Sequence, residues 1–121
     1  MTRDYLLRLS WPSRHLSPNA RVHWAARAKA VKAYRAEARY IAQGAGCRVL
    51  DCDGLELAIT FYPPRRGRFD LDNLLARMKA AIDGIADASG VDDSRYTYSL
   101  AMDEPVKGGA VMVHVKSRCC T

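Results

Sequence analysis

Leu55-Glu56-Leu57-Ala58-Ile59-Thr60-Phe61-Tyr62, closed by Pro63-Pro64, is the stretch that decides the fold. Leu55, Leu57, Ile59 and Phe61 face one way and Glu56, Ala58, Thr60 and Tyr62 the other, the period of a half-buried strand. After the prolines, Arg65-Arg66-Gly67-Arg68 forms a basic loop. The period then changes. From about Leu71 to Ala88, Leu71, Leu74, Leu75, Met78, Ile82 and Ile85 recur at the spacing of a helix with one buried face, and Gly90 closes it. Upstream, Tyr5 to Leu9 reads as a short strand with Tyr5, Leu7 and Leu9 on one face, ended by Trp11-Pro12. A loop with Pro18 and Asn19 leads into a long helix from about Val22 to Gln43, stopped by Gly44 and Gly46. Trp24, Val31, Tyr34, Ala38 and Ile41 are its expected buried stripe. Downstream, Tyr96–Met102 and Ala110–Lys116 read as strands joined through a turn with Lys107-Gly108-Gly109. The expected fold is α+β in the order β-α-β-α-β-β. One small mixed sheet carries two helices on one face, in a single domain over residues 1–121.

A chain of 121 residues can bury a core without disulfides or a structural metal. The four cysteines, Cys47, Cys52, Cys119 and Cys120, match no zinc spacing and are read as free thiols without a function. The first ten residues alternate charge and leucine rather than forming a secretion signal. No apolar run approaches the roughly 18 residues of a membrane span. A cytoplasmic protein is expected.

Charge narrows the partner. The chain carries a formal +6, unevenly spread. Residues 1–48 hold ten Lys/Arg against two acids, and residues 49–121 hold nine against eleven. A basic half attracts phosphates, whereas an acidic half gathers carboxylates. On the first helix Lys29, Lys32, Arg35 and Arg39 fall within an arc of about 120° opposite the core stripe. This is either a solvated face or one that tracks phosphates, and within the helix only Glu37 balances it.

The chemistry concentrates in Asp70-Leu71-Asp72-Asn73-Leu74. Residues two apart share a face on an extended chain but diverge by about 200° in a helix. Asp70 and Asp72 therefore converge if Asp70 lies in an extended lead-in and Asp72 in the first helical turn. Magnesium takes a few carboxylate oxygens and leaves its other positions to water and phosphate. It polarises a phosphoryl oxygen and lowers the pKa of bound water, as phosphodiester hydrolysis requires. The plain alternative is helix capping by Asp70. Asp92-Asp93, just beyond Gly90, is either a further ligand source or a solvated turn.

Asp70-Leu71-Asp72-Asn73-Leu74, then Lys79-Ala80-Ala81-Ile82-Asp83-Gly84, then Gly90-Val91-Asp92-Asp93-Ser94, resembles the signature of the RusA-type Holliday junction resolvases, small cytoplasmic endonucleases of bacteria and their phages. Leu9-Ser10-Trp11-Pro12 and Pro18-Asn19 are similar to the family's opening strand and following loop. The resemblance implies a homodimer that binds four-way DNA junctions and cuts two opposed strands with magnesium, manganese substituting, near a CC dinucleotide. Carried over by position, Asp70, Asp72 and Asp93 match its catalytic metal ligands, and Asp92 matches a supporting one. Asn73 matches a motif asparagine, its amide expected to brace Asp72. The family's lysine stands one helical turn after the second motif Asp, where this chain has Ala76. Lys79 is its match in context, at nearly the angle of Asp72 but about 10.5 Å further along a regular helix. Its competing role is an ion pair with Asp83 four residues on. Arg77 is worse placed, at about 140° from Asp72.

The expected function is thus a magnesium-dependent, structure-selective endodeoxyribonuclease acting on Holliday junctions in recombination and repair. Arg65, Arg66 and Arg68 would hold phosphates, and the first helix would extend the basic surface. Phe69 either inserts at a junction base step or fills a core gap. Two alternatives stand: a non-catalytic basic DNA-binding protein whose acids only cap and solvate, and a nuclease for other branches such as flaps or forks.

Overall fold

The computed structural model describes residues 3–49 and 52–118. Cys119 and Cys120 lie outside them. The elements are β1 (Asp4–Leu9), α1 (Trp24–Gly44), β2 (Gly54–Tyr62), α2 (Leu71–Arg77), α3 (Lys79–Ser89), β3 (Tyr96–Met102) and β4 (Ala110–Arg118). Short 3-10 turns at Arg14–Leu16 and Asp93–Arg95 complete them. The architecture is α+β, with a four-stranded mixed sheet and three helices.

Strand β2 follows its sequence pattern. Leu55, Leu57, Ile59 and Phe61 are buried, while Glu56 is exposed and Ala58, Thr60 and Tyr62 are half-buried. Leu7, Leu9, Val111, Val113 and Val115 are buried with them. The sheet order is β1-β4-β2-β3. Strands β2 and β3 are parallel, Leu55 opposite Tyr96 and Phe61 opposite Met102, so the chain crosses over between them through α2 and α3. Strand β4 is antiparallel to both β1 and β2 and separates them. The last two strands are therefore not a hairpin: the turn at Gly108-Gly109 carries β4 past β2 into the middle of the sheet.

Two further expectations are corrected. The helix expected over 71–88 is two helices meeting at Met78, where φ −81° and ψ −5° depart from helical values. The Met78 N–H is shared between the carbonyls of Leu74 (3.2 Å) and Leu75 (2.9 Å), a tightened last turn. Met78 is fully buried, and the Tyr34 hydroxyl lies 3.3 Å from its sulfur. The other correction concerns α1, where Trp24 is 76% and Val31 39% exposed. The helix begins at Trp24, capped by His23, whose Nδ1 accepts from the Ala25 N–H at 3.2 Å. Its buried side is Tyr34, Ala38 and Ala42, and it packs mainly on α3. Gly84 of α3 makes that approach close, for a Cβ there would stand 2.3 Å from the Arg35 carbonyl oxygen.

Cys47 and Cys52 are free and buried. Burial, with Cys52 beside it, pushes the Cys47 thiol up to about 11, and the Cys52 Sγ donates to the Val49 carbonyl at 3.1 Å. Among the described residues no helix is long and apolar enough to cross a membrane.

Candidate active site

Strand β2 delivers the chain to Pro63-Pro64, and the basic loop brings it to α2. Asp70 is extended there (φ −83°, ψ 117°), and Asp72 lies in the first turn. The Asp70 Oδ1 accepts from the Asp72 N–H at 2.9 Å, so Asp70 is the helix cap. Both acids are exposed, and among the described residues no cation pairs with either. Asn73 does not brace Asp72: its Oδ1 accepts from the buried Ser17 hydroxyl at 3.0 Å, tying α2 to the loop before α1.

The second acid pair divides its duties. Asp92 caps the turn Asp93–Arg95, accepting from the Ser94 N–H at 3.2 Å and from the Ser94 hydroxyl. Those bonds hold its carboxyl below the ordinary range. Asp93 instead accepts from Lys79 Nζ, which also donates to Asp83 Oδ1 at 3.0 Å. Bonding to Asp93 and then Asp83 raises the lysine's pKa. The structure thus brings Lys79 together with Asp93 and with its i,i+4 competitor Asp83. Asp70 and Asp72 make no bond to that cluster. Among the described residues, no three His, Cys, Asp or Glu side chains are gathered as a metal site gathers them.

The cations are partly committed. Arg65 stands over the Phe69 ring, 5.6 Å from its centroid. Phe69 is half-buried and edge-on to Trp11 at 5.5 Å, which is core filling rather than a free wedge. Arg66 meets Glu104 at 3.2 Å with both side chains widely exposed, and Arg68 is exposed. On α1, Lys29, Lys32, Arg35 and Arg39 all face solvent, as the helical arc predicts. The row is nevertheless balanced from another helix: Arg35 forks onto Asp87 of α3 at 2.7 and 2.9 Å. Glu37 turns away to the Ser10 N–H (2.7 Å) and hydroxyl (2.6 Å).

Sequence reasoning missed a cavity of about 560 Å3 beside Lys79. Its apolar wall includes Leu16, Val31, Leu75, Ile82 and Tyr98, and its charged groups are Arg27, Arg77, Lys79 and Asp83. Burial raises the Tyr98 hydroxyl pKa, with Asp93 adding to it. Four separate stretches of chain meet there, so no local pattern announces it.

No family model matches the chain. A solved structure, the empty FtsZ dimer of M. jannaschii, aligns with 94% of the chain at 14% identity and a TM-score of 0.42. The chain spans about a quarter (26%) of that structure's chain, and a likeness at this level carries no argument. An uncharacterized protein of Xylella fastidiosa (strain Temecula1) is 50% identical over 113 residues, which are 90% of this chain and 74% of that protein. By that identity and coverage, the chain belongs to the family of the Xylella fastidiosa protein.

Proposed function

We propose that this protein is a RusA-type, magnesium-dependent endodeoxyribonuclease of the cytoplasm, working as a homodimer on four-way DNA junctions. The observation that carries the reading is the contact of Lys79 with Asp93. It joins the lysine and the acid that the resemblance assigns to one site, although the lysine is displaced in sequence. The donor chemistry fits a magnesium ion at Asp70 and Asp72: hard carboxylate oxygens, no cation paired with them among the described residues, and a basic loop just before them in the chain. Such an ion needs only one or two protein carboxylates when phosphate oxygens and water complete its shell. Once bound it would supply Lewis-acid polarisation of the phosphoryl oxygen and a water of lowered pKa.

The chain's own residues do the rest. Asp70 fixes the first turn of α2 and so the direction of Asp72. Lys79 offers an ammonium to a phosphate, and Arg66 and Arg68 hold flanking phosphates without reading sequence. The exposed lysines of α1 extend that surface. Two copies would give two symmetric cuts.

A second reading has its own support. Asp70 is engaged as a cap, Asp92 as another, and Asp93 in an ion pair. A basic DNA-binding protein without catalysis would use its acids in that way. Flaps or forks are the further substrates of the nuclease reading, since branch choice depends on how two copies sit.

The test incubates the protein with a labelled mobile four-way junction and a matched duplex, in Mg2+ or EDTA, beside Asp72→Asn. Paired incisions on the junction alone, lost in EDTA and in the variant, are expected. An intact junction across varied sequences refutes the resolvase reading. A variant that cuts like the parent refutes the site. Cleavage of flaps in preference to junctions would reassign the substrate.

A further inference from the structure

We propose that the cavity beside Lys79 is a nucleotide pocket, taking one unstacked nucleotide of the DNA strand with its base against the apolar wall and its phosphate on Arg77. This rests on the reading of the protein as one that binds DNA, and it names the part of the substrate that the fold would grip.

Three observations point there. The first is size and lining. About 560 Å3 is within the range of small-molecule sites, which are mostly apolar with a few placed polar groups. Val31 and Tyr98 remain 39% and 40% exposed at the cavity, leaving apolar surface for a flat ring to cover. Tyr98 is an aromatic face on which any base can stack, a contact worth roughly 1–3 kcal/mol per base.

The second is charge. Among the described residues Asp83 is the one acid lining the cavity, and Lys79 already pairs with it. Arg27 gives one Nη to the Ala20 carbonyl at 3.0 Å. Arg77 makes no ion pair among the described residues, and its Nε is shut from solvent with no acceptor. Its terminal Nη groups carry no hydrogen bond or ion pair among the described residues, and there an entering anion would find an uncompensated guanidinium. A ligand with a flat apolar body and an anionic head matches this arrangement.

The third is position. Lys79 lines the cavity and also bonds Asp93. A strand whose phosphate reached Lys79 would have an adjoining nucleotide at the cavity mouth. Bases in a continuous duplex are stacked and cannot enter without a cost of a few kcal/mol, which falls where the duplex is interrupted. The pocket would thereby favour branched or single-stranded DNA over duplex through a physical term separate from dimer geometry.

The experiment follows amide resonances of isotope-labelled protein in EDTA, so that cleavage plays no part. The probes are a five-nucleotide single-stranded thymidine oligomer, a blunt duplex and inorganic phosphate. The oligomer is expected to shift amides of Val31, Leu75 to Asp83 and Tyr98 saturably, and the duplex and phosphate to shift them weakly. Arg77→Met should weaken oligomer binding by about tenfold. Lys116→Met, which removes the same charge from the opposite sheet face, should change it by less than about twofold. Ala76→Leu, which narrows the cavity without touching charge, should also weaken it. Thermal melts establish that each variant is folded. Shifts confined to Lys29–Arg39, phosphate acting as well as the oligomer, or equal losses in Arg77→Met and Lys116→Met would each overturn the pocket. Junction cleavage with an indifferent cavity refutes this inference alone, and oligomer binding without any magnesium-dependent cleavage refutes the nuclease alone.

Discussion

Replacing Gly84 by alanine should destabilise the protein, against the local preference of a helix. In an exposed helix interior alanine is better than glycine by about 1 kcal/mol, because glycine loses more backbone freedom on folding. Gly84 sits mid-way along α3 where it meets α1. An added Cβ would lie 2.3 Å from the Arg35 carbonyl oxygen, 3.0 Å from the Ala38 Cβ and 3.0 Å from the Arg39 nitrogen. Two of those atoms are backbone and cannot rotate away. Ordinary contact begins near 3.4 Å, so the helices must part by about 1 Å at that point. Overpacking of this kind costs about 1–3 kcal/mol and exceeds the helical gain.

For a chain of 121 residues each kcal/mol moves Tm by roughly 3–6 °C. With two of the clashing atoms in rigid backbone the cost falls at the top of that range, so a net loss of about 2 kcal/mol lowers Tm by about 6–12 °C. The assay is urea unfolding followed by circular dichroism, with a lowered midpoint at unchanged slope. Gly44→Ala is the internal control. It lies in the last turn of α1 with nothing within 4 Å of its Cβ position, so it should be neutral or stabilise by up to about 1 kcal/mol. Gly84→Ala as stable as the parent would refute the close approach of the two helices.

Two other perturbations separate roles that one residue combines. Asp70→Asn keeps a good cap and should leave stability within a few tenths of a kcal/mol, whereas Asp70→Ala should lose about 1 kcal/mol. Both should abolish cleavage if the carboxylate also serves the ion, and an Asn variant that still cuts would reduce Asp70 to a cap. The fork from Arg35 holds the Asp87 carboxyl below its ordinary 3.8. A depressed folded pKa means that the pair's stabilisation is complete above that ordinary value and is lost as pH falls through the folded one. Urea titrations should therefore show Arg35→Leu less stable than the parent at pH 6, with the two converging in strong acid. A gap that persisted there would assign the loss to packing.

Strand β2 was legible in the sequence because a sheet covered on one side imposes a period of two on every residue from Leu55 to Tyr62. The extended Asp70 before a helical Asp72 was legible for a similar reason, since local chain direction alone decides whether i and i+2 converge. What stayed hidden depends on partners far along the chain. Nothing between Leu71 and Ser89 breaks a helix except the tolerated Gly84, and the interruption falls on Met78, under Tyr34 from another helix. Trp24 and Val31 keep core spacing, but α1 buries only its later turns, from Tyr34 onward. Asp87 is 52 residues from the arginine it neutralises, so the basic row looked less balanced than it is. The placement of β4 between β1 and β2 likewise has no local signal in Lys107-Gly108-Gly109.

The interruption at Met78 changes what Lys79 can serve. On an unbroken helix the lysine would share the side of Asp72, about 10.5 Å along the axis, and would have to stretch back to reach it. Here it begins a new helix and its ammonium rests on Asp93 and Asp83. The lysine therefore belongs with Asp93 of the second acid pair. Lys79 remains 64% exposed in this contact, and an ion pair so exposed is worth at most about 1 kcal/mol. On the proposed function, a DNA phosphate, itself a charged and bidentate acceptor, would exchange for Asp93 on the ammonium at small cost. Such an exchange would leave Asp93 without its cation as the phosphate arrives, which is when the proposed site would use a further carboxylate. On this reasoning the ion pair and the proposed catalytic site are not competing accounts of Asp93. Under the proposed function the pair would be the resting arrangement of a lysine that a substrate phosphate could claim.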